Sequence, residues 1–278
     1  RLGPHAGVGD SKNHTAEELT VAKAAAPGPR LRALLLETGT STEAELAEIE
    51  DAARREVDQA MEKGLSAKPT PKEETLIDVY ADPTIAPRRG HYPRRNGEAA
   101  PSGELKSMTM MEAIADAQKI AMQIDPSVFL LGEDVGDPQG GVFGTNKGLE
   151  SEFGKERVRG TPIAEQAIIG AGIGAALVGM RPIAEIMFMD FVGVCMDQIF
   201  NHAAKQRYMS GGATHVPLTI RMLVGGGVGG FGAQHSQSLE AWLAHVPGLK
   251  IAFPSTAYDA KGLLLSAIFD DDPCVHLE

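Results

Sequence analysis

The sequence predicts an α/β fold: a doubly wound, mainly parallel six-stranded sheet over residues 108–278, preceded by a helical segment (1–80) and an extended linker (81–107). Three observations predict it. From Met108 onward, short strand-like apolar runs alternate with helical patterns, which implies a parallel sheet covered on both faces. A Pro-rich, polar stretch separates this region from what precedes it, SAKPTPKEETLIDVYADPTIAPRRGHYPRRNGEAAPSGELKS. No internal repeat is found along the chain.

The elements follow in chain order. Three T-x-x-E capping boxes, Thr15 with Glu18, Thr42 with Glu45 and Thr109 with Glu112, each predict a helix start. After Thr42, Leu46, Ile49, Ala53, Val57 and Ala60 form the apolar stripe of a packing helix whose other face is charged. The linker carries Arg88, Arg89, Arg94 and Arg95, a cluster more often solvated than nucleic-acid-binding. Next come a helix over 109–124, a strand at VFLL (128–131), a strand at RVRG (157–160) and an apolar Gly/Ala helix, TPIAEQAIIGAGIGAALVGMRP, that reads as fully buried. A strand at PIAEIMF (182–188) leads to a long helix from about Phe191 to Tyr208. PLTIRML (217–223), LKIAF (249–253), a helix and the closing CVHLE complete the count.

Composition narrows the function. The chain has 278 residues, 43% hydrophobic, with a net charge of −11, which argues against a general nucleic-acid binder needing a basic surface. The longest apolar run, Ala167 to Met180, is too short and Gly-rich to span a bilayer, and no signal peptide is evident. Cys195 and Cys274 are far apart and form no CxxC, which fits reduced thiols in the cytoplasm or the mitochondrial matrix. The chain begins without Met and stops in a strand-like run, so it reads as an internal piece of a longer polypeptide.

Sheets of this kind place their sites beyond the carboxyl ends of the strands. Four residues lie there. Glu133 ends the first strand, Glu165 opens the helix after RVRG, Phe191 follows PIAEIMF and His235 lies in GGGVGGFGAQHSQS after PLTIRML. Each has a plainer reading. Glu133 finishes a turn, Glu165 is an acid at a helix dipole, Phe191 is core and His235 is a surface turn residue. Their common placement favours a site. Two glycine patterns, GAGIGA (170–175) and GGGVGG (225–230), suggest an NAD(P)-dependent oxidoreductase as an alternative. The first lies inside a helix, where glycines permit close packing. The second has Lys250 and Ile251 where a ribose-binding acid is needed. No G-x-x-x-x-G-K-[ST], H-E-x-x-H or G-x-S-x-G occurs, and no metal ligands are assigned.

At these residues the chain resembles a known family. LLGEDVG, TPIAEQ, GMRPIAEIMFMDF, DQIFNHAAKQRYMSGG, GAQHSQS and PSTAYDAKGLLLSAI resemble the beta subunit of the thiamine-diphosphate-dependent first component of 2-oxo acid and acetoin dehydrogenase complexes. MDFVGVCMDQIFN leans toward the acetoin-type members. The resemblance covers about Met108 to Glu278 and implies a transketolase-like pyrimidine-binding domain. GPHAGVGD, TAEEL, PRLRALLLETGTSTEAELAEIE and LIDVYADP resemble the carboxy-terminal part of the matching alpha subunit, so the chain would straddle an alpha–beta fusion. The family's GDG motif for magnesium and diphosphate is absent, since Gly9-Asp10-Ser11 is not it; the Mg2+ ligands are expected outside this chain.

The resemblance implies the roles. Glu165 would hydrogen-bond the aminopyrimidine ring, and walls of Ile163, Ala164 and Ile168 would leave it poorly solvated with a raised pKa, suited to proton exchange. Phe191 would cover the pyrimidine, with Ile163 and Met187 lining it. His235 would face the reacting centre, Glu133 would be a second buried acid, and His5 would touch the diphosphate. Carbon dioxide would leave a 2-oxo acid, or acetaldehyde would leave acetoin, and the acyl fragment would pass to a lipoyl-bearing acyltransferase. An alpha-type subunit or domain would hold the diphosphate, which makes the protein an obligate oligomer and the piece alone inactive. A non-catalytic assembly module is the remaining alternative.

Overall fold

The computed structural model describes residues 15–74, 77–81, 106–226 and 230–278; the expectations for His5 and for the arginine cluster lie outside the described residues. The chain divides into two compact units, Arg1–Lys72 and Glu73–Glu278. In the first, α1 (Ala16–Ala24), α2 (Pro27–Glu37) and α3 (Glu43–Ser66) follow one another. Thr15 and Thr42 close complete capping boxes with Glu18 and Glu45, each satisfying two backbone N–H groups that a helix start leaves free. Pro27 stands at the start of α2, where its missing N–H is not needed. Arg32 of α2 reaches Glu43 and Glu50 of α3 at 2.6 and 2.5 Å. The expected stripe of α3 is not buried within this unit. Leu46 is covered, whereas Ile49, Ala53, Val57 and Ala60 are exposed, because α1 and α2 bury no residue that could pack against them.

The second unit carries the sheet. Its elements are α4 (Met110–Ile124), β1 (Val128–Glu133), α5 (Leu149–Phe153), β2 (Val158–Thr161), α6 (Glu165–Leu177) and β3 (Arg181–Ile186). They continue with helical turns from Met189 to Met209, then β4 (Thr219–Met222), α8 (Glu240–Ala244), β5 (Lys250–Ala252), α9 (Ala257–Ile268) and β6 (Cys274–Leu277). The six strands run in the order β2-β1-β3-β4-β6-β5, and every pairing is parallel. The expected six-stranded α/β architecture is therefore present. One core lies between the sheet and α6 with the 189–204 turns; the other lies between the sheet and α4 with α9. Two layers of helix around one sheet satisfy both apolar faces of its strands.

Three expectations change. The long helix is a series of short turns: a 3-10 segment (Met189–Cys195), a π segment (Gln198–Ala203) and α7 (Gln206–Met209). The buried residues explain the change of pitch. Met189, Val192 and Cys195 are three apart, while Ile199 and Ala203 follow at intervals of four, so no single α-helical period keeps all five against the sheet. Next, α6 is buried on one side. Ile168, Ile169, Gly172, Ile173 and Ala176 face the core, and Ala167, Gly170, Ala171, Gly174 and Leu177 are exposed. Of its glycines, Gly172 is the one in close contact: a Cβ there would lie 2.9 Å from Leu218, whereas Gly170 and Gly174 face open space. Finally, among the described residues no helix opens at GGGVGG. The helix after β4, α8, begins at Glu240, so the geometry of a dinucleotide fingerprint is not met.

The α4–α9 face hides a polar row. Gly132, Glu185, Arg221, His276 and Ala252 are register partners across β1, β3, β4, β6 and β5. Arg221 is fully buried. Its Nη1 donates to Glu185 Oε2 at 2.7 Å, to Asn146 Oδ1 at 2.8 Å and to Gln118 Oε1 of α4 at 3.0 Å. Its Nε donates to Glu278 Oε2 at 3.2 Å, and Nη2 pairs with Glu278 Oε1. Asn146 also donates to Glu185, at 2.7 Å, which ties the long loop after β1 to the sheet.

Candidate functional site

The chain runs from β1 to β2 on one side and then returns to β3 on the other side of β1. The crevice beyond the carboxyl ends of β1 and β3 is the switch point at which such sheets bind ligands. Side chains alternate along a strand, so Glu133 shares the α6 face with Leu131, while Gly132 belongs to the polar row behind. Glu133 is paired with Thr161 at the end of β2. Asp134 follows with φ 53°, the left-handed conformation that turns the chain out of the strand. Four residues beyond Thr161, Glu165 is the first residue of α6, and Ala164 before it supplies no side-chain cap. A carboxylate there also faces the positive end of the helix dipole.

The Glu133 carboxyl responds to its surroundings. Burial first, then the charges of Asp134 and Glu165, push the Glu133 carboxyl above its ordinary range. Burial, together with the charge of Glu165, also pushes the Cys195 thiol up to about 12. Cys195 closes the 3-10 segment that carries Phe191, and the charge of Glu165 reaches it. Both cysteines are free and buried, and burial raises Cys274 as well.

On the Phe191 side, the chain leaves β3 through Met187, Phe188, Met189 and Asp190. The His235 ring stands edge-on to Phe188 and to Phe191, with centroids 5.1 Å away in each case and interplanar angles of 79° and 80°. Phe188 meets Phe143 and Phe231 at 6.1 and 5.6 Å. An imidazole walled by aromatic edges can exchange a proton with a bound group, and a nearby pair of carboxylates can hold one.

The chain's sequence matches the family described as transketolase, pyrimidine binding domain, over residues 106–278. This chain belongs to that family. Among its relatives, the beta subunit of acetoin:2,6-dichlorophenolindophenol oxidoreductase of Cupriavidus necator is 50% identical, covering 62% of this chain and 53% of the relative. The beta subunit of 2-oxoisovalerate dehydrogenase of Bacillus subtilis is 53% identical, covering 62% of this chain and 52% of the relative. This chain thus spans about half the length of the curated relatives it matches. The structure of transketolase from Leishmania mexicana shares the fold, at 17% identity and a TM-score of 0.51, over 63% of this chain and 25% of that one. The matched region begins at residue 106, so the helices of the first unit lie outside it.

Within this pyrimidine-binding domain, the expected residues divide. Glu133 and Glu165 face one another electrostatically, and Phe191 and His235 are in ring contact. All four are half-buried, and so is Met187. Ile163 departs from expectation: it is 74% exposed and does not wall Glu165, because the chain between Pro162 and the start of α6 runs along the outer edge. Ile168, one turn further along α6, is buried in the core. Among the described residues, no cluster of three His, Cys, Asp or Glu side chains is disposed to hold a metal ion. The sequence reading missed Phe188, Phe143, Phe231 and Asp190. The motif MFMDF held the signal for two of them: a polar residue between two aromatics just past a strand end.

Proposed function

We propose that this chain supplies the pyrimidine-side half of a thiamine-diphosphate site in a dehydrogenase component that acts on a 2-oxo acid or acetoin. The observation that carries the reading is the ring contact of His235 with Phe188 and Phe191 just past β3, on the sheet edge where Glu133 ends β1 and Glu165 opens α6. The names of the beta-subunit relatives point the same way. The residues present fit the aminopyrimidine end of the cofactor. Two neighbouring acids, one with a raised pKa, can share a proton with a ring nitrogen, and Phe191 with Met187 offers an apolar surface to a flat ring.

Thiamine diphosphate, when bound, supplies a carbon nucleophile and an electron sink. The protein's share is proton management and exclusion of water. Glu165 exchanges a proton with the aminopyrimidine. Glu133, whose carboxyl is pushed above its ordinary range, is the second acid at this edge. His235 moves a proton at the substrate carbonyl or serves the lipoyl sulfur. The Mg2+ ligands and the diphosphate contacts belong to an alpha-type subunit or domain, against which Ile163 would become covered. The acyl group passes to a lipoyl-bearing acyltransferase, and the assembly is an oligomer. Residues 1–80 continue such an alpha-type domain.

The test uses the full-length protein with its partner subunit. Deuterium exchange at the thiazolium carbon of added thiamine diphosphate is measured in the native enzyme and in Glu165→Gln. General acid–base catalysis contributes about 10²–10⁴-fold, so exchange should slow by at least about 100-fold. Unchanged exchange in the variant would sink the role given to Glu165. Turnover of pyruvate, a branched-chain 2-oxo acid and acetoin, each with a lipoyl acceptor, then identifies the substrate.

A further inference from the structure

We infer that Asp190 is the positioning residue of His235: its carboxylate fastens the His235 loop to the turn that carries Phe188 and Phe191. The inference rests on the reading of the site given above. Gly225, Gly230 and Gly232, before His235, take positive φ angles of 76°, 67° and 84°, which glycine adopts without a Cβ penalty. No hydrogen bond joins either ring nitrogen of His235 to another described residue, so its orientation is set by its near-perpendicular contacts with the Phe188 and Phe191 rings and by its backbone.

Asp190 holds that backbone. Its Oδ1 accepts from Ser236 N at 3.2 Å, Gln237 N at 3.0 Å and Gln237 Nε2 at 2.8 Å. Two of these donors are main-chain groups of the residues that immediately follow His235. Hydrogen bonds to an ionised acceptor are about twice as strong as neutral ones. Lesser contacts assist: Leu239 N reaches Met189 Sδ at 3.4 Å, Gly225 N reaches Gln237 O at 3.0 Å, and Phe231 N reaches Ser236 Oγ at 2.8 Å. Asp190 is not merely a helix cap, because its donors lie 46 and 47 residues away and not in its own turn. Its Oδ2 is buried and finds no donor among the described residues. A buried, unmet acceptor is costly, so one oxygen with three distant donors is better explained by the loop it holds than by local stability.

The experiment has a spectroscopic and a kinetic arm. In the isolated chain, the Hε1 proton of His235, assigned with His235→Asn, should be displaced by the ring currents of Phe188 and Phe191. Asp190→Ala should move that signal toward the position of free histidine. Asp190→Asn keeps an acceptor oxygen and should leave it near its native place. Gln237→Met removes the side-chain donor alone; it should move the signal less, and it serves where Asp190→Ala is unstable. In the assembled enzyme, Asp190→Ala should lower kcat about 10–100-fold with little change in KM, as displacement of a catalytic group by about 1 Å can do. Adding His235→Asn should cost little more. A His235 signal unmoved in both Asp190→Ala and Gln237→Met, or moved equally by Asp190→Asn, overturns the inference. Full activity in His235→Asn refutes instead the role proposed for His235, and leaves the Asp190 result standing on the spectra.

Discussion

Replacing Arg221 with Met should be among the most damaging single changes in the sheet. Arg221 is fully buried and pairs with Glu185 and Glu278, both nearly inaccessible. Burial pushes Glu185 above the usual carboxylate range even beside Arg221. Burial pushes Glu278 the same way, but Arg221 and His276 outweigh it and hold it low. Removing the guanidinium leaves two carboxylates without their cation and deprives Asn146 and Gln118 of a donor. Breaking a buried pair typically costs about 3–5 kcal/mol. For a unit of this size that is a fall in Tm of roughly 6–20 °C. The assay is urea and thermal unfolding at one protein concentration, since association also shifts the midpoint. The triple variant Arg221→Met, Glu185→Gln, Glu278→Gln should recover part of the loss, because it removes the two uncompensated buried charges that the single variant leaves behind. The deficit of the single variant should also shrink on acidification. Without Arg221 both carboxyls have folded pKa values raised by burial; their penalty is present when they are ionised and disappears as pH falls through those values. A loss below about 1 kcal/mol, or a deficit that the triple variant does not relieve, would refute the reasoning.

Glu133 makes a pH prediction of the same kind. Its folded pKa is raised, so the stability it contributes is present below its unfolded value of about 4.3 and is lost as pH rises through the folded value. Glu133→Gln should therefore melt higher than the native chain at pH 7.5, with the gap closing toward about pH 4; a gap that does not vary with pH counts against a raised pKa. Gly248 has φ 94°, and a Cβ there would run into the carbonyl of Ala204, so Gly248→Ala should cost roughly 2–4 kcal/mol by urea unfolding. A cost near zero would mean that the turn after α8 shifts freely.

The sheet was legible because its signals are local and repeated. Each strand is a short apolar run, and Thr109 with Glu112 announced α4 by a hydrogen-bond pattern that needs no tertiary partner. The 189–209 region was not legible as anything but a helix, since its pitch is set by which residues must touch the sheet. Glu133, Glu165, Phe191 and His235 could be placed at one edge because strand ends fix them. The solvent cover of Glu165 could not, because Ile163 faces outward by a backbone course that neighbouring residue types do not encode. The Glu185–Arg221 pair was hidden for a different reason. Its members are 36 residues apart and meet through register alone.

The two faces of the sheet treat buried charge in opposite ways, and this separates structure from function. Behind the sheet, Glu185 and Glu278 have Arg221 between them, with Asn146 and Gln118 filling further hydrogen-bonding positions. In front, Glu133 and Glu165 have each other, and burial and Asp134 only raise the cost of ionising Glu133. Burial disfavours the ionised Glu133, and among the described residues no ion pair with a cation offsets it. An uncompensated pair at a switch point is the arrangement expected of a site waiting for a partner that can take a proton. A neutral apolar ligand would leave the pair as costly as before. A flat ring with a basic nitrogen, such as an aminopyrimidine, could accept a proton from a carboxyl whose ionised form is disfavoured, as that of Glu133 is.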